Sequence, residues 1–298
     1  MKKKGSFFLR DDVAGIIFVL PFVIGLIAFL AIPVGIAFYY AFTDFNMLGQ
    51  ANFIGLDNFR RMIDDAQLWN SVRVTFRFVF LSVPLRLAFA LGVAMLLFKS
   101  TKMMGVYRAM YYLPSMLGGS VAVAVLWRRL FFPTGTFNSI LEIFGLNRQF
   151  AWLGDTRTAI WTLILLSVWQ FGSSMLIFLA GLKQIPDTYY EAANIDGSGK
   201  VYSFFRITLP LITPTIFFNL IMQTIGGFLT FNSAFIITGG GPQGSTNFFA
   251  LHMYNHTFAY GNAGYASALA WFMLGLLAIM AGILFATKRF WVYEGGFS

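Results

Sequence analysis

The residue types that carry catalysis are sparse in this 298-residue chain, which has no cysteine and two histidines. His252 and His256 are four apart and share a face if their segment is helical. No carboxylate or cysteine stands near them in sequence, so polar contacts in a loop are the expected role and a metal site is not. No paired acid and base is evident, and no G-x-x-x-x-G-K-[S/T] phosphate loop occurs. Gly239-Gly240-Gly241-Pro242 has glycines but no lysine at that spacing, and reads as a breaker between apolar segments. The expectation is a protein that is not an enzyme, with no cofactor and no metal. The chemistry left is recognition, by neutral amides, hydroxyls and one arginine set in apolar runs, and by one polar loop with a glycine corner.

That loop runs Lys183-Gln-Ile-Pro-Asp-Thr-Tyr-Tyr-Glu191-Ala192-Ala193-Asn-Ile-Asp196-Gly197-Ser-Gly-Lys-Val-Tyr-Ser-Phe-Phe-Arg206-Ile207-Thr-Leu209-Pro210. Pro186 suits a first helical turn, where its missing N–H costs nothing. Asp187 favours the positive helix end. Gly197 and Gly199 supply a chain reversal. Val201 to Ile207 then reads as a second short amphipathic segment. Two short helices meeting at a glycine corner form either an elbow packed on its own bundle or a docking surface for another protein.

Trp169, Gln170, Ser173 and Ser174 lie in one apolar run, and Gln223, Gly226, Gly227, Thr230 and Asn232 in another. Amides and hydroxyls beside aromatic faces suit a sugar, which binds through hydroxyl hydrogen bonds and stacking. Small polar residues also cement helix packing. Arg86 stands inside a third apolar run, and if that run spans a membrane the cation is expensive and functional by default. It faces a substrate path, pairs with another chain, or snorkels to the surface. The near absence of acids from the apolar runs argues against proton coupling and against a cationic substrate.

The elements that must position these residues follow from composition. Hydrophobic residues make up 58% of the chain and charged residues 11%, against about 25% charged in a soluble domain. The net charge of +9 lies in short loops between apolar runs and forms no continuous patch, which excludes nucleic acid as the expected partner. A span needs about 20 apolar residues. Six candidates cover roughly 13–42, 75–98, 110–130, 159–182, 207–237 and 265–287. The first is too long for a signal-peptide core and reads as a retained span. Backbone groups without water must bond internally, and the runs lack barrel alternation, so the expected fold is all-α, a polytopic bundle of six transmembrane helices in a single domain over 1–298.

Lys2, Lys3, Lys4, Arg10, Lys99, Lys102, Arg108, Lys183, Lys200, Arg206, Lys288 and Arg289 would share one side. Arg60, Arg61, Arg73, Arg128, Arg129, Arg148 and Arg157 would face the other. The bias places both termini and the loop at about 183–206 in the cytoplasm, although the second outer loop blurs it.

Glu191-Ala192-Ala193, Gly197, Ile207, Leu209 and Pro210 have the spacing E-A-A, three residues, G, nine residues, I-x-L-P. This resembles the coupling motif of binding-protein-dependent ABC importer permeases of type I, and Asp196 and Pro214 match the sugar-importing branch. Phe53 to Phe59, Tyr112 to Pro114, Ile177 to Pro186 and Thr238 to Pro242 resemble the same branch, so the likeness covers nearly the whole chain. It looks like the maltose and glycerol-phosphate type of permease. The extra N-terminal spans and large outer domain of one maltose-system partner are missing. Ser198 and Val74 depart from the usual alanine and asparagine. The resemblance implies an inner-membrane subunit that forms half of a translocation path for a carbohydrate. It implies a second homologous permease subunit, two ATP-binding cassette ATPase subunits and an external solute-binding protein as partners. It also implies that Glu191, Ala192, Ala193, Asp196, Gly197, Ile207, Leu209 and Pro210 meet an ATPase, and that hydrolysis happens there and not in this chain. The path residues would be Trp169, Gln170, Ser173, Gln223, Gly227, Thr230, Asn232 and Arg86. The competing class is a secondary transporter or channel without an ATPase. It predicts repeats or midplane ionisable residues; no clear repeat is present, and Arg86 is the one such candidate.

Overall fold

A computed structural model describes residues 11–98, 103–145, 150–293 and 295, and those residues are helical apart from turns and one isolated bridge between Thr43 and Phe53. Lys2, Lys3, Lys4, Arg10, Lys99, Lys102 and Arg148, which carry part of the charge asymmetry, lie outside the described residues. Among the described residues four helices are long and apolar enough to cross a bilayer, and two bent helix pairs raise the number to six if each pair is one span. The four are α1 (Gly15–Tyr40), α3 (Ala66–Leu96), α10 (Lys200–Phe228) and α12 (Ala263–Trp291). The bent pairs are α4 (Met104–Leu117) with α5 (Val121–Leu130), and α7 (Ala159–Trp169) with α8 (Gly172–Leu182). Short helices α2 (Asp57–Asp64), α6 (Thr136–Ile143), α9 (Asp187–Ile195) and α11 (Phe249–Tyr254) lie between them.

The described residues pack as two compact units. One takes the chain up to Asp64 with Met253–Met273, and the other takes Asp65–His252 with the chain from Leu274 on.

In the first unit, none of the most apolar window of α1 is buried. A helix apolar all round and uncovered requires lipid or another protein around it. The chain then turns through a loop held by Asn58, whose amide donates to the carbonyls of Ala41 at 2.9 Å and Thr43 at 2.8 Å. Asn58 is the polar residue of the Phe53–Phe59 segment that is buried, and these two bonds explain an amide there. Gly264 N donates to Phe45 O at 2.8 Å, and the Arg61 guanidinium lies 4.2 Å from the Tyr265 ring centre. Asp44 holds Asn52 through its backbone N–H and its side-chain amide. These bonds keep the Asp44 carboxyl below the usual carboxylate range, the side-chain bond first among the causes.

In the second unit α3 is the central helix and packs on α7, α8 and α10. It starts at Ala66, nearer the N-terminus than the sequence expectation of 75, because Asp65 caps it. Asp65 Oδ1 accepts from Gln67 N at 2.9 Å and Leu68 N at 3.0 Å. Phe78, Phe228, Phe248, Phe178 and Met175 are among its buried side chains.

Three expected spans are interrupted. The run at 110–130 starts at Met104 and bends by 95° between α4 and α5, at Gly118-Gly119-Ser120. The run at 159–182 bends by 43° at Gln170-Phe171. The run at 207–237 ends its long helix at Phe228 and resumes with a π-helical segment, Ala234–Thr238. The sequence predicts continuous helices there because hydropathy counts apolar residues and does not register where the backbone unwinds.

Two further π turns sit inside α1 (Ile27–Ala31) and α10 (Phe204–Thr208). Each closes on an i→i−5 bond, Ile32 N to Ile27 O and Leu209 N to Phe204 O. The next residue is a proline in both cases, Pro33 and Pro210. A proline has no N–H to give and its ring crowds the carbonyl four residues back, so a widened turn accommodates it.

Candidate functional site

The three interruptions converge on one cavity in the second unit, with a volume of about 280 Å³. Gly118, Gly119 and Ser120 line it from the first break, Gln170 from the second, and Leu229, Thr230, Phe231 and Asn232 from the third. Arg86 and Ser82 reach it from α3, one helical turn apart.

Unwound backbone in a bilayer leaves polar groups that must be satisfied by protein, and here side chains from neighbouring breaks do so. The Gln170 carbonyl accepts from Arg86 Nη2 and from Ser115 Oγ, the latter at 3.0 Å. The Gln170 side-chain amide donates to Gly118 O at 3.1 Å, and the Asn232 amide donates to Gly119 O at 3.4 Å. Ser115 Oγ also receives Ser173 N at 2.9 Å. The first break is thus held by residues of the other two, and the second by Arg86 of α3 and Ser115 of α4. Glycine is required where helices meet: a Cβ on Gly172 would collide with Tyr111 O and lie 2.7 Å from Tyr112 Cα, and a Cβ on Gly118 would overlap the Gln170 side chain.

Of the residues read as a substrate path, Arg86, Gln170, Gln223, Gly227, Thr230 and Asn232 line this cavity, and Trp169 and Ser173 do not. Trp169 packs against Trp127, with ring centres 5.7 Å apart. Ser173 starts α8 and bonds Ser115. Gln223 donates to Ser174 Oγ at 2.9 Å. The sequence reading passes over Ser82, Gly118, Gly119 and Ser120. The Gly-Gly-Ser run after Pro114 is the signal that marks a break.

The second feature is the elbow between α8 and α10. Pro186 precedes α9, Asp187 opens it, and Gly197 ends it with φ +76°. Ser198 N donates to Ala193 O at 2.9 Å and Gly197 N to Asn194 O at 3.1 Å, the paired bonds of a Schellman end. Tyr190 OH lies 2.8 Å from Thr208 Oγ1, which ties α9 to the π turn at the start of α10. Ala193 is buried, whereas Glu191, Ala192, Asp196 and Gly197 are exposed. Ile195 is 87% exposed and Val201 72%, so the elbow presents apolar side chains outward. Between its two limbs is a cavity of about 640 Å³, lined by Tyr189, Ala192, Ala193, Asp196 to Gly199, Tyr202 and Ile207. Leu209 and Pro210 lie past the π turn, in the body of α10.

His252 is buried, with Nε2 3.6 Å from Asp65 Oδ2, so the carboxylate that sequence proximity does not offer comes from the cap of α3.

Comparison with known proteins identifies the family and the fold. A family model described as binding-protein-dependent transport system inner membrane component matches residues 87–290. The probable ABC transporter permease YesP of Bacillus subtilis is 48% identical over 294 residues, covering 98% of this chain and 95% of that one. The trehalose/maltose transport system permease MalF of Thermococcus litoralis is 33% identical over 264 residues, with 88% of each chain covered. The probable starch degradation products permease AmyD of Thermoanaerobacterium thermosulfurigenes is 30% identical over 284 residues, covering 95% and 96%. A chain in the crystal structure of a bacterial ABC transporter that imports alginate shares the fold. Its TM-score is 0.78 at 20% identity, covering 93% of this chain and 96% of that one. The chain therefore belongs to the inner-membrane components of binding-protein-dependent transport systems, and it is a membrane-spanning permease subunit of an ABC importer.

Proposed function

We propose that this permease passes a sugar or oligosaccharide through the cavity at the three helix breaks, and that the α9–α10 elbow is where an ATPase subunit grips it. The observation that carries the reading is the convergence of unwound backbone and neutral amides on one cavity. Discontinuous helices are how transporters place hydrogen-bonding groups in a bilayer. Relatives named for starch degradation products, trehalose and maltose, and arabinooligosaccharides support a carbohydrate.

The elbow has the properties a force-bearing contact needs. Its corner is fixed by the Schellman bonds, its limbs are joined through Tyr190 and Thr208, and its exposed face mixes Glu191 with Ile195 and Val201. A rigid elbow transmits displacement into α8 and α10, and a floppy one would absorb it. In this reading the chain pairs with a second homologous permease and two ATPase subunits, receives solute from an external binding protein, and keeps both termini in the cytoplasm. Hydrolysis resides in the ATPase subunits.

The test is tagged purification from native membranes, followed by uptake in proteoliposomes. ATP-dependent accumulation of a labelled oligosaccharide, with ATPase subunits and a second permease in the purified complex, is the expected result. Uptake at full rate without any nucleotide-binding subunit would overturn the reading in favour of a secondary transporter.

A further inference from the structure

The cavity contains a charge that a neutral sugar does not need. Arg86 reaches it from α3, and its Nη2 is engaged by the Gln170 carbonyl. Its Nε is buried and has no hydrogen-bond partner among the described residues, and neither has Ser82 Oγ one turn away. No carboxylate among the described residues lines the cavity. None is available nearby in sequence either, since no Asp or Glu occurs between Asp65 and Glu142, between Asp155 and Asp187, or between Asp196 and Glu294. Helices α3, α4, α5, α7, α8, α10 and α12 therefore contain no acid that could neutralise Arg86.

Nearby backbone acceptors are already engaged. Gly118 O and Gly119 O are taken by Gln170 and Asn232, and Gln170 O by Arg86 and Ser115. The N-terminal end of α5, a ten-residue helix capped by Ser120, opens at the same cavity and adds positive potential. A guanidinium in low dielectric with an unused Nε–H, a hydroxyl beside it and a helix N-terminus across from it is a site for an anion. The planar fork of arginine matches a carboxylate.

We infer that the cargo is an acidic saccharide, and that Arg86 with Ser82 receives the carboxylate of a uronic acid residue as it crosses the cavity. This rests on the proposal that the cavity is the translocation site. Gln223, Thr230 and Asn232 then serve the hydroxyls of the same sugar.

The test uses the complete transporter in lipid nanodiscs, without binding protein, and measures equilibrium binding of a galacturonate disaccharide and of its carboxyl-reduced, neutral form. The acidic form should bind about tenfold more tightly or better, as a desolvated charge-assisted pair allows. The preference should vanish in Arg86→Gln, persist in Arg86→Lys and weaken in Ser82→Ala. Equal binding of the two forms to the parent would overturn the acidic cargo while leaving the cavity as a sugar site, provided Asn232→Leu and Gln223→Leu still weaken both. If those two substitutions leave binding of both forms unchanged, the cavity itself is refuted as the site. Retention of the full preference in Arg86→Gln would also overturn the inference, because the anion would then be held elsewhere, for example by the second permease.

Discussion

Arg86 donates through Nη2 to the backbone carbonyl of Gln170, at the point where α7 gives way to α8. The contact places a cation from one helix on an unwound residue of another, and Gln170 in turn reaches the Gly118 carbonyl of a third. The first break is satisfied by side chains of the other two, and the second by side chains of α3 and α4.

The close approach at Gly172 gives a packing prediction. Gly172→Val would force its side chain into the Tyr111–Tyr112 backbone and toward Ser115 Oγ, 2.8 Å from the new Cβ. The expected cost is about 1–3 kcal/mol, the range for overpacking, read as a lowered unfolding temperature of the detergent-solubilised complex. Gly92→Ala, whose Cβ would meet nothing within 4 Å, should leave that temperature unchanged or slightly raised. Equal effects in the two variants would contradict the packing described.

The elbow corner depends on backbone conformation and not on space. Gly197 has φ +76° and a Cβ added there would meet nothing within 4 Å, while Gly199 has an ordinary φ. Gly197→Ala should cost about 1 kcal/mol of local stability, seen as faster amide exchange across Glu191–Ser203 and reduced uptake per ATP hydrolysed. Gly197→Asn should be milder, and Gly199→Ala nearly silent. Indistinguishable behaviour at 197 and 199 would remove the corner from the account.

The bond between Tyr190 and Thr208 joins the limbs of the elbow. Tyr190→Phe and Thr208→Val should each slow ATP-driven uptake, and the double variant should be no worse than either single one. The coupling energy expected from such a cycle is about 1 kcal/mol. Strictly additive losses would mean the two side chains act independently.

Asp44 gives a pH dependence confined to one loop. Its carboxyl is held below the usual range by Asn52, so its contribution is present above the unfolded value of about 4 and fades as pH falls through the lower folded value. Amide exchange at Asn52 should therefore be steady between neutral pH and about pH 5, after correction for intrinsic rates, and accelerate only in stronger acid. Asp44→Ala should show the faster exchange at every pH.

The spans were legible because a lipid-facing helix must be apolar over its whole length; α1 (Gly15–Tyr40) and α12 (Ala263–Trp291) overlie the runs at 13–42 and 265–287, whereas α10 is displaced from its run. The elbow was legible because Pro186, Asp187 and Gly197 each carry a local conformational rule. Apart from the Gly118-Gly119-Ser120 break, the breaks carry no such rule. Leu229-Thr230-Phe231 contains neither proline nor glycine, and the Gln170-Phe171 kink is signalled only by the glycine after it. The bends are maintained by bonds between segments far apart in sequence, such as Asn232 to Gly119, and no local pattern encodes those. Asp65 and His252 meet for the same reason, through tertiary packing that brings the cap of α3 to α11.

The absence of cysteine makes a direct test of the transport path available. A single Thr230→Cys, at a half-buried residue of the third break that lines the cavity, can be probed in the reconstituted importer with a membrane-impermeant maleimide added from the outer face. The account predicts that labelling from outside differs severalfold between the resting complex and one trapped with ATP and vanadate, and that uptake is blocked once the thiol is modified. Equal labelling in both states, or uptake undiminished after full modification, would contradict it.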